Sequence, residues 1–399
     1  MPSRDSAPLV AIACGGTGGH LFPGLAVGEQ LGQRGCDVML LVSPKDVDQQ
    51  AVRAVTGMQI VILPAVGLVR GNVAGFLKGF RSSYRAARQC FAARPPAAVL
   101  AMGGFTSAPP VLAGRKLHAA TFLHESNTIP GRANRFLAWF VGQAFVGFPS
   151  CARRLHTRAT LVTGTPVRPR LVRGSAEAAR VALGLQPQRE TLLIMGGSQG
   201  ASGINQLVLR CLADLRRELP DAQFIHLTGT HDAERVAAAY REARVPAVVR
   251  PFLTEMELAL NAATVAVSRS GASSLAELAA LRLPAILIPY PTAADNHQFH
   301  NARAFVETGA ARMLGEHRST PENFTRMVCE LMTSAAERRR LATALAEWHQ
   351  PEAAAQIADA IVQRIAPGRP VVRRSGGEPA AVDPAVSSEE NCALAVGPS

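Results

Sequence analysis

Along almost the whole chain, apolar runs of a few residues alternate with longer segments whose apolar positions recur every three or four residues. Short continuous runs predict buried parallel strands, and the longer segments predict the helices between them. In the first half the predicted strands are Leu9–Cys14, Val38–Val42, Ile60–Leu63, Ala98–Ala101, Ala120–Leu123 and Leu161–Thr163. In the second they are Thr191–Met195, Gln223–Leu227, Thr264–Val267 and Ala285–Ile288. This alternation predicts an α/β chain of doubly wound parallel sheets. The second half also opens like the first: "LLIMGGSQGASGINQLV" repeats the strand, double glycine and helix of "VAIACGGTGGHLFPGLAV". Two copies about half a chain apart exclude a solenoid and point to two domains. Prolines and arginines place the boundary near "GTPVRPRLVRGS", Gly164–Ser175. Ala335–Ile365 reads as helix broken near Pro351, and the tail from about Gly368 to Ser399, rich in Pro, Gly, Ala and Ser, as disordered.

Composition narrows the partners. With 399 residues and 48% of them hydrophobic, the chain is long enough for two cores. Aromatics at 5% disfavour a platform for stacked single-stranded nucleic acid. The longest apolar run, "FLAWFVGQAFVGF" (Phe136–Phe148), contains Gln143 and falls short of the roughly 18 residues of a membrane span. Asp5 and an early strand do not fit a signal peptide. Seven cysteines without a C-x-x-C pair read as reduced thiols of a cytosolic protein. The net charge of +12 is one-sided: between Gln49 and Ala176 lie seventeen of the 42 bases but one of the 30 acids, Glu125. Arginine bias alone does not remove acids so locally. The basic half therefore suggests an anionic partner: nucleic acid, a phosphorylated substrate or anionic lipid.

Three glycine-rich loops follow predicted strands: Gly15–Gly19, Ala101–Pro110 and Gly196–Gly203. A helix N-terminus exposes unpaired N–H groups and a partial positive charge, and glycine lets phosphate approach it. A tight strand-to-helix turn is the alternative use of any one such loop. No G-x-x-x-x-G-K-[ST] occurs, and "GGTGGH" has Leu21 where a dinucleotide fingerprint needs its third glycine. In "SRSGASSLAELAALRLPAILIPYPTAADNHQFHNA" (Ser268–Ala302), a small-residue turn starts a helix bearing Glu277, whose carboxylate suits a ribose diol. His297 and Gln298 open a further helix; His297 serves either a sugar or as a cap. The "DVD" of Asp46–Asp48 looks like a metal-binding D-x-D, but acids early in a helix favour its N-terminus anyway. We read it as structural and expect no metal and no cofactor.

"GGTGGHLFPGLAV", "HESNTIPGRANR", "GTPVR", "GGSQGASGIN" and "RSGASSLAEL…DNHQFHNA" occur in that order. Together they resemble the MurG-type enzymes, the peptidoglycan N-acetylglucosaminyltransferases of glycosyltransferase family 28, over about Leu9 to Ile365. The resemblance implies the GT-B architecture, two Rossmann-like domains facing a cleft. On that pattern residues 1–166 form an acceptor- and membrane-side domain, joined by a crossing C-terminal helix near 351–366. Residues 167–350 bind UDP-GlcNAc, and 367–399 are a tail. The implied reaction is inverting transfer of GlcNAc from UDP-GlcNAc to the C4 hydroxyl of the muramic sugar of lipid I (undecaprenyl-pyrophosphoryl-MurNAc-pentapeptide), giving lipid II.

The resemblance also implies roles. His20 is the candidate general base, an imidazole titrating near neutrality, with helix capping as its alternative; Glu125 is the rival base or an orienter. Gly15, Gly16, Gly103, Gly104 and Asn134 border the acceptor. On the donor side, the backbone at Leu253, beside Phe252, meets uracil and Glu277 binds ribose, with the turn Ala272, Ser273, Ser274, Leu275 and Ala276 alongside. Ser198 and Arg168 hold the diphosphate, Asn127 and Gln298 reach the sugar, and Thr17, Gly18 and Gly19 complete the donor set. Ser126, Thr165 and Phe105 stand where glutamine, asparagine and tyrosine are usual, so acceptor contacts differ in detail. Leu68–Phe91 sets Leu68, Val69, Phe76, Leu77 and Phe80 among Arg70, Lys78, Arg81, Arg85 and Arg88. It suggests peripheral docking on anionic lipid at the cytoplasmic membrane face, against the alternative of an ordinary amphipathic helix with its apolar face in the core. Nucleic acid is not an expected partner. Competing readings are a UDP-GlcNAc 2-epimerase or another lipid-linked sugar transferase of the same fold. A non-enzymatic nucleic-acid or membrane-binding module is a third.

Overall fold

The computed structural model describes residues 7–16, 18–44, 56–64, 73–104, 106–168, 170–197 and 200–366. Asp46, Asp48, Leu68, Val69, Arg70, Phe105, Thr17, Ser198 and the tail therefore lie outside the described residues.

Two all-parallel sheets form. The first holds β1 (Leu9–Ala13), β2 (Asp37–Val42), β3 (Gln59–Ile62), β4 (Ala98–Ala101), β5 (Ala120–Glu125), β6 (Gln143–Val146) and β7 (Thr160–Val162). Its order is β3-β2-β1-β4-β5-β6-β7. The second holds β8 (Thr191–Met195), β9 (Gln223–Leu227), β10 (Ala247–Arg250), β11 (Val265–Ser268), β12 (Ala285–Leu287) and β13 (Arg312–Met313), in the order β10-β9-β8-β11-β12-β13. The central strands β1, β4 and β8 are buried from end to end, as helices on both faces of a parallel sheet require. All ten predicted strands are present within a residue or two. β6, β10 and β13 were not foreseen.

In each sheet the chain reverses direction next to its first strand: between β1 and β4, and between β8 and β11. In doubly wound folds the crevice beyond the carboxyl ends of strands at such a switch point is where ligands bind. All three glycine loops, and the turn after β11, leave these four strands.

The helix Ala335–Trp348 stops before Pro351, and Ala353–Ile365 resumes on the first half. There Ile357, Ala358 and Ile361 are wholly buried in one cluster with Val10 and Ile12 of β1 and Phe145 of β6. The linker is fastened as well. His124 of β5, wholly buried, donates from Nε2 to Gly164 O at 3.1 Å, which leaves Nδ1 to accept from Ser126 Oγ at 3.3 Å.

Candidate active site

The loops after β1, β4, β8 and β11 enclose one cavity of about 1130 Å³. Three helices point their N-termini at it: Gly18–Gln33, Ser202–Glu218 and Ala272–Leu281. The last two start at Ala201 and Gly271, which offer no side-chain cap. Their first N–H groups are left for an anionic ligand, with the helix dipoles behind them.

On the first-half side, His20 sits in the opening turn of its helix and its ring lies against Gly103 and Gly104. Gly103 has φ +109°, and a Cβ there would come within 2.8 Å of His20 Cε1. Bare backbone at this loop is therefore what gives the imidazole its place. The loop is tied to β1 and the turn after it by buried hydroxyls: Ser107 Oγ donates to Ala13 O at 3.2 Å, and Thr106 Oγ1 to Gly15 O at 2.7 Å.

Glu125 ends β5, 2% exposed, and its carboxylate is fully engaged. Oε1 accepts from the backbone N and the Nδ2 of Asn127, both at 2.9 Å. Oε2 accepts from Gly131 N at 2.9 Å and Asn134 Nδ2 at 2.8 Å. Four donors fill the roughly four lone-pair positions of a carboxylate, so taking a substrate proton means breaking one of these bonds. Asn134 Oδ1, by contrast, is buried and finds no donor among the described residues, while its residue lines the cavity. A buried acceptor left so calls for a donor from a ligand.

On the second-half side, Glu277 is buried one and a half turns into its helix, and burial pushes its carboxyl up from the ordinary range while Arg168 pulls it back. Arg168 Nε and Nη2 both reach Oε1 at 3.0 Å, leaving Oε2 without a bond to any described residue. The same guanidinium stacks 3.9 Å over the Phe22 ring of the first half. Beneath the loop after β8, Asp232 accepts from Ser202 Oγ at 2.7 Å and Asn205 Nδ2 at 2.9 Å, fixing the helix start. The Ser202 bond is the main reason the Asp232 carboxyl is held down to about 2.

The halves also bond directly. Pro23 lies inside the first helix and has no N–H to give Gly19 O, its i−4 partner. That carbonyl instead accepts from Ser273 Oγ of the second half at 3.0 Å. Asp295 pairs with Arg135, and Arg132 lies 3.8 Å from the same carboxylate.

Of the residues named from sequence, His20, Glu125, Gly18, Gly19, Gly104, Asn127, Asn134, Arg168, Ala272, Ser273, Ser274, Glu277 and Gln298 line this cavity. Gly15, Gly16 and Gly103 do not line it, though Gly103 backs the His20 ring. Leu275 is turned into the core, Ala276 faces a separate small cavity near Trp348, and Leu253 packs on the core while Phe252 lines the cleft. His297 donates from Nδ1 to Ala294 O at 2.8 Å, a local turn contact, and still borders the cavity. Sequence reasoning passed over Phe22, Arg269 and Asn301. Arg269 is buried, pairs with Glu316 at 2.5 Å and lines the cavity. Asn301 was visible only as one helical turn beyond His297.

Comparisons with known proteins agree with this arrangement. Residues 10–146 match the glycosyltransferase family 28 N-terminal domain and residues 191–361 the C-terminal domain of that family. The chain is 36% identical over 382 residues to the UDP-N-acetylglucosamine–N-acetylmuramyl-(pentapeptide) pyrophosphoryl-undecaprenol N-acetylglucosamine transferase of Anaeromyxobacter dehalogenans, covering 92% of this chain and 94% of that one. The protein of the same name from Allorhizobium ampelinum is 36% identical over 368 residues, with coverage of 90% and 96%. Among solved structures, MurG of Acinetobacter baumannii superposes with a TM-score of 0.67 at 26% identity, covering 90% of this chain and 99% of that one. A UDP-N-acetylglucosamine 2-epimerase superposes at 0.65 with 14% identity, which shows the shared fold alone. Both halves match in order on two parallel sheets that share one cleft, and the chain belongs to glycosyltransferase family 28, a sugar-transferring enzyme of GT-B fold.

Proposed function

We propose that this enzyme transfers GlcNAc from UDP-GlcNAc to the C4 hydroxyl of MurNAc in undecaprenyl-pyrophosphoryl-MurNAc-pentapeptide, lipid I, inverting the anomeric centre and forming lipid II of peptidoglycan. What carries the reading is a single cavity with an imidazole on one wall and a buried carboxylate among helix N-termini on the other. The names of the similar proteins supply the two substrates. Residues 1–166 with the helix near 351–366 serve the acceptor, and 167–350 the donor.

In this scheme Glu277 Oε2 takes the ribose hydroxyls, and the uncapped helix N-termini with Ser198 and Arg168 hold the diphosphate. As the bond to UDP breaks, negative charge grows on the departing diphosphate. Fixed dipoles and a guanidinium meet it without reorganising. His20 removes the C4 hydroxyl proton as that oxygen attacks from the opposite face. One in-line displacement inverts the centre, so no covalent enzyme intermediate is required. Glu125 orients Asn127 and Asn134, and Asn134 Oδ1 receives an acceptor hydroxyl. No step calls on a metal or cofactor.

The acceptor is lipid-linked, so the enzyme works as a peripheral protein at the cytoplasmic face of the plasma membrane. Among the described residues no helix is long and apolar enough to cross a membrane. In the helix Val73–Ala93, Phe76, Leu77 and Phe80 line the mouth of the cleft while Lys78, Arg81, Arg85 and Arg88 are exposed.

The test is transfer of labelled GlcNAc to a soluble lipid I analogue with EDTA present throughout. Product is expected with the parent enzyme. His20→Ala should lose about 10²–10⁴-fold in kcat, the usual contribution of a positioned base. Glu125→Gln should lose less, because a neutral amide still accepts on one side. No product, with UDP-GlcNAc epimerised instead, would sink lipid I as acceptor.

A further inference from the structure

Asn301 is wholly buried on the helix His297–Glu307, and all four hydrogen-bonding positions of its amide are used. Oδ1 accepts from Thr128 N at 3.0 Å and Thr128 Oγ1 at 2.9 Å. Nδ2 donates to Ser270 O at 3.1 Å and to Asn127 Oδ1 at 3.0 Å. Thr128 and Asn127 belong to the first half, Ser270 to the second, so one side chain stitches the loop after β5 to the donor half.

Its orientation has no freedom. A backbone N–H can only donate and a backbone carbonyl can only accept, so Thr128 N and Ser270 O fix which end of the Asn301 amide is oxygen. That choice propagates. An N–H of Asn301 faces Asn127, so Asn127 must turn its Oδ1 toward Asn301. Its own NH₂ then points the other way, one hydrogen to Glu125 Oε1 and the second available to the cavity that Asn127 lines. The partners therefore dictate that Asn127 offers the cleft a donor.

We propose that Asn301 is a positioning residue: it sets the amide of Asn127 so that an N–H faces the donor sugar, and does so only when the two halves are together. Such an N–H suits a sugar hydroxyl oxygen or the acetamido carbonyl. Asn301 itself does not line the cavity and touches no substrate. The inference rests on Asn127 as a sugar contact, and the experiment separates the two.

The readouts are kcat/KM for UDP-GlcNAc and the affinity for UDP, which lacks the sugar. Parent, Asn127→Ala, Asn301→Ala, Asn301→Asp and the double variant Asn127→Ala/Asn301→Ala are compared. Asn301→Asp is nearly isosteric and keeps an acceptor toward Thr128, but it sets an oxygen against Asn127 Oδ1 and Ser270 O. That repulsion should flip the Asn127 amide. We expect kcat/KM to fall at least tenfold in each single variant, with UDP affinity within about twofold of the parent. The double variant should be no worse than Asn127→Ala alone, as residues acting as one unit require. Additive losses, or UDP affinity falling in step with kcat/KM, would overturn the proposal by making Asn301 a general structural support. Should Asn301→Ala not fold, Asn301→Asp with unchanged UDP affinity carries the same decision. If Asn127→Ala itself is without effect, the sugar contact falls, and the proposal falls with it.

Discussion

His124 and His226 are buried bases with no acid beside them to favour their charge strongly. His226 gives its Nε2 proton to Asn205 Oδ1 at 3.0 Å, because both Asn205 N–H groups are already spent on Thr228 O and Asp232. Burial lowers His124 to about 4 and His226 to about 3. Their ordinary value is near 6.5. Below that pH the unfolded chain binds protons that the folded chain refuses, so stability is full above about 6.5 and falls with acidification until the folded values are reached. At about 1.4 kcal/mol per pH unit, each histidine removes about 2 kcal/mol by pH 5. Urea unfolding between pH 7 and 5 should show this loss, and His226→Asn should flatten the slope. An identical slope in the variant would assign the acid sensitivity elsewhere.

At the scale of elements, the C-terminal helix is held by apolar packing more than by its charges. Ile361 is wholly buried against the first sheet, whereas the Arg34–Asp359 pair, 2.6 Å apart, leaves Asp359 half exposed. Ile361→Ala should cost about 2–5 kcal/mol, and Asp359→Ala much less, since water screens an exposed pair. Denaturant midpoints decide it; comparable losses would mean the ion pair anchors the helix. This helix and its break at Pro351 were legible from periodicity and one proline. Eight of the ten foreseen strands were legible because buried parallel strands leave unmixed apolar runs; β3 and β7 are exposed edge strands that carry such runs all the same. The unforeseen strands failed that rule for physical reasons. β6 sits inside a thirteen-residue apolar stretch whose period cannot divide strand from helix. β10 and β13 are edge strands, only partly buried, and β13 is two residues long. In the site, glycine loops, His20 and Glu277 announced themselves by residue type and place. Asn301 did not, because its work depends on which backbone groups surround it, and only tertiary structure brings Thr128 and Ser270 to one amide.

For the whole molecule, the one-sided charge acquires a location. Lys78, Arg81, Arg85 and Arg88 stand exposed on the helix whose Phe76, Leu77 and Phe80 reach the mouth of the cleft. Gly79, Ser83, Ala87 and Phe91 of the same helix are buried on the side away from these cations. Spacings of three, four and seven residues put Phe76 and Phe80 on that same face, so the helix has one apolar face: its C-terminal part is in the core and its N-terminal part, with Leu77 beside it, reaches the cleft. Each cation near an anionic surface is worth about 1 kcal/mol and is screened within a Debye length of about 10 Å at 0.1 M salt. Replacing Arg81, Arg85 and Arg88 by Gln should therefore weaken binding to vesicles containing anionic lipid by about 10²-fold. Salt should weaken the parent in the same way. None of the three lines the cavity, so turnover of a soluble short-chain acceptor should be unchanged while turnover of a vesicle-embedded acceptor falls. If both fall together, these arginines serve the active site or the fold. If vesicle binding is unaffected, the basic half answers to the diphosphate of the acceptor, and the membrane must be met by another face.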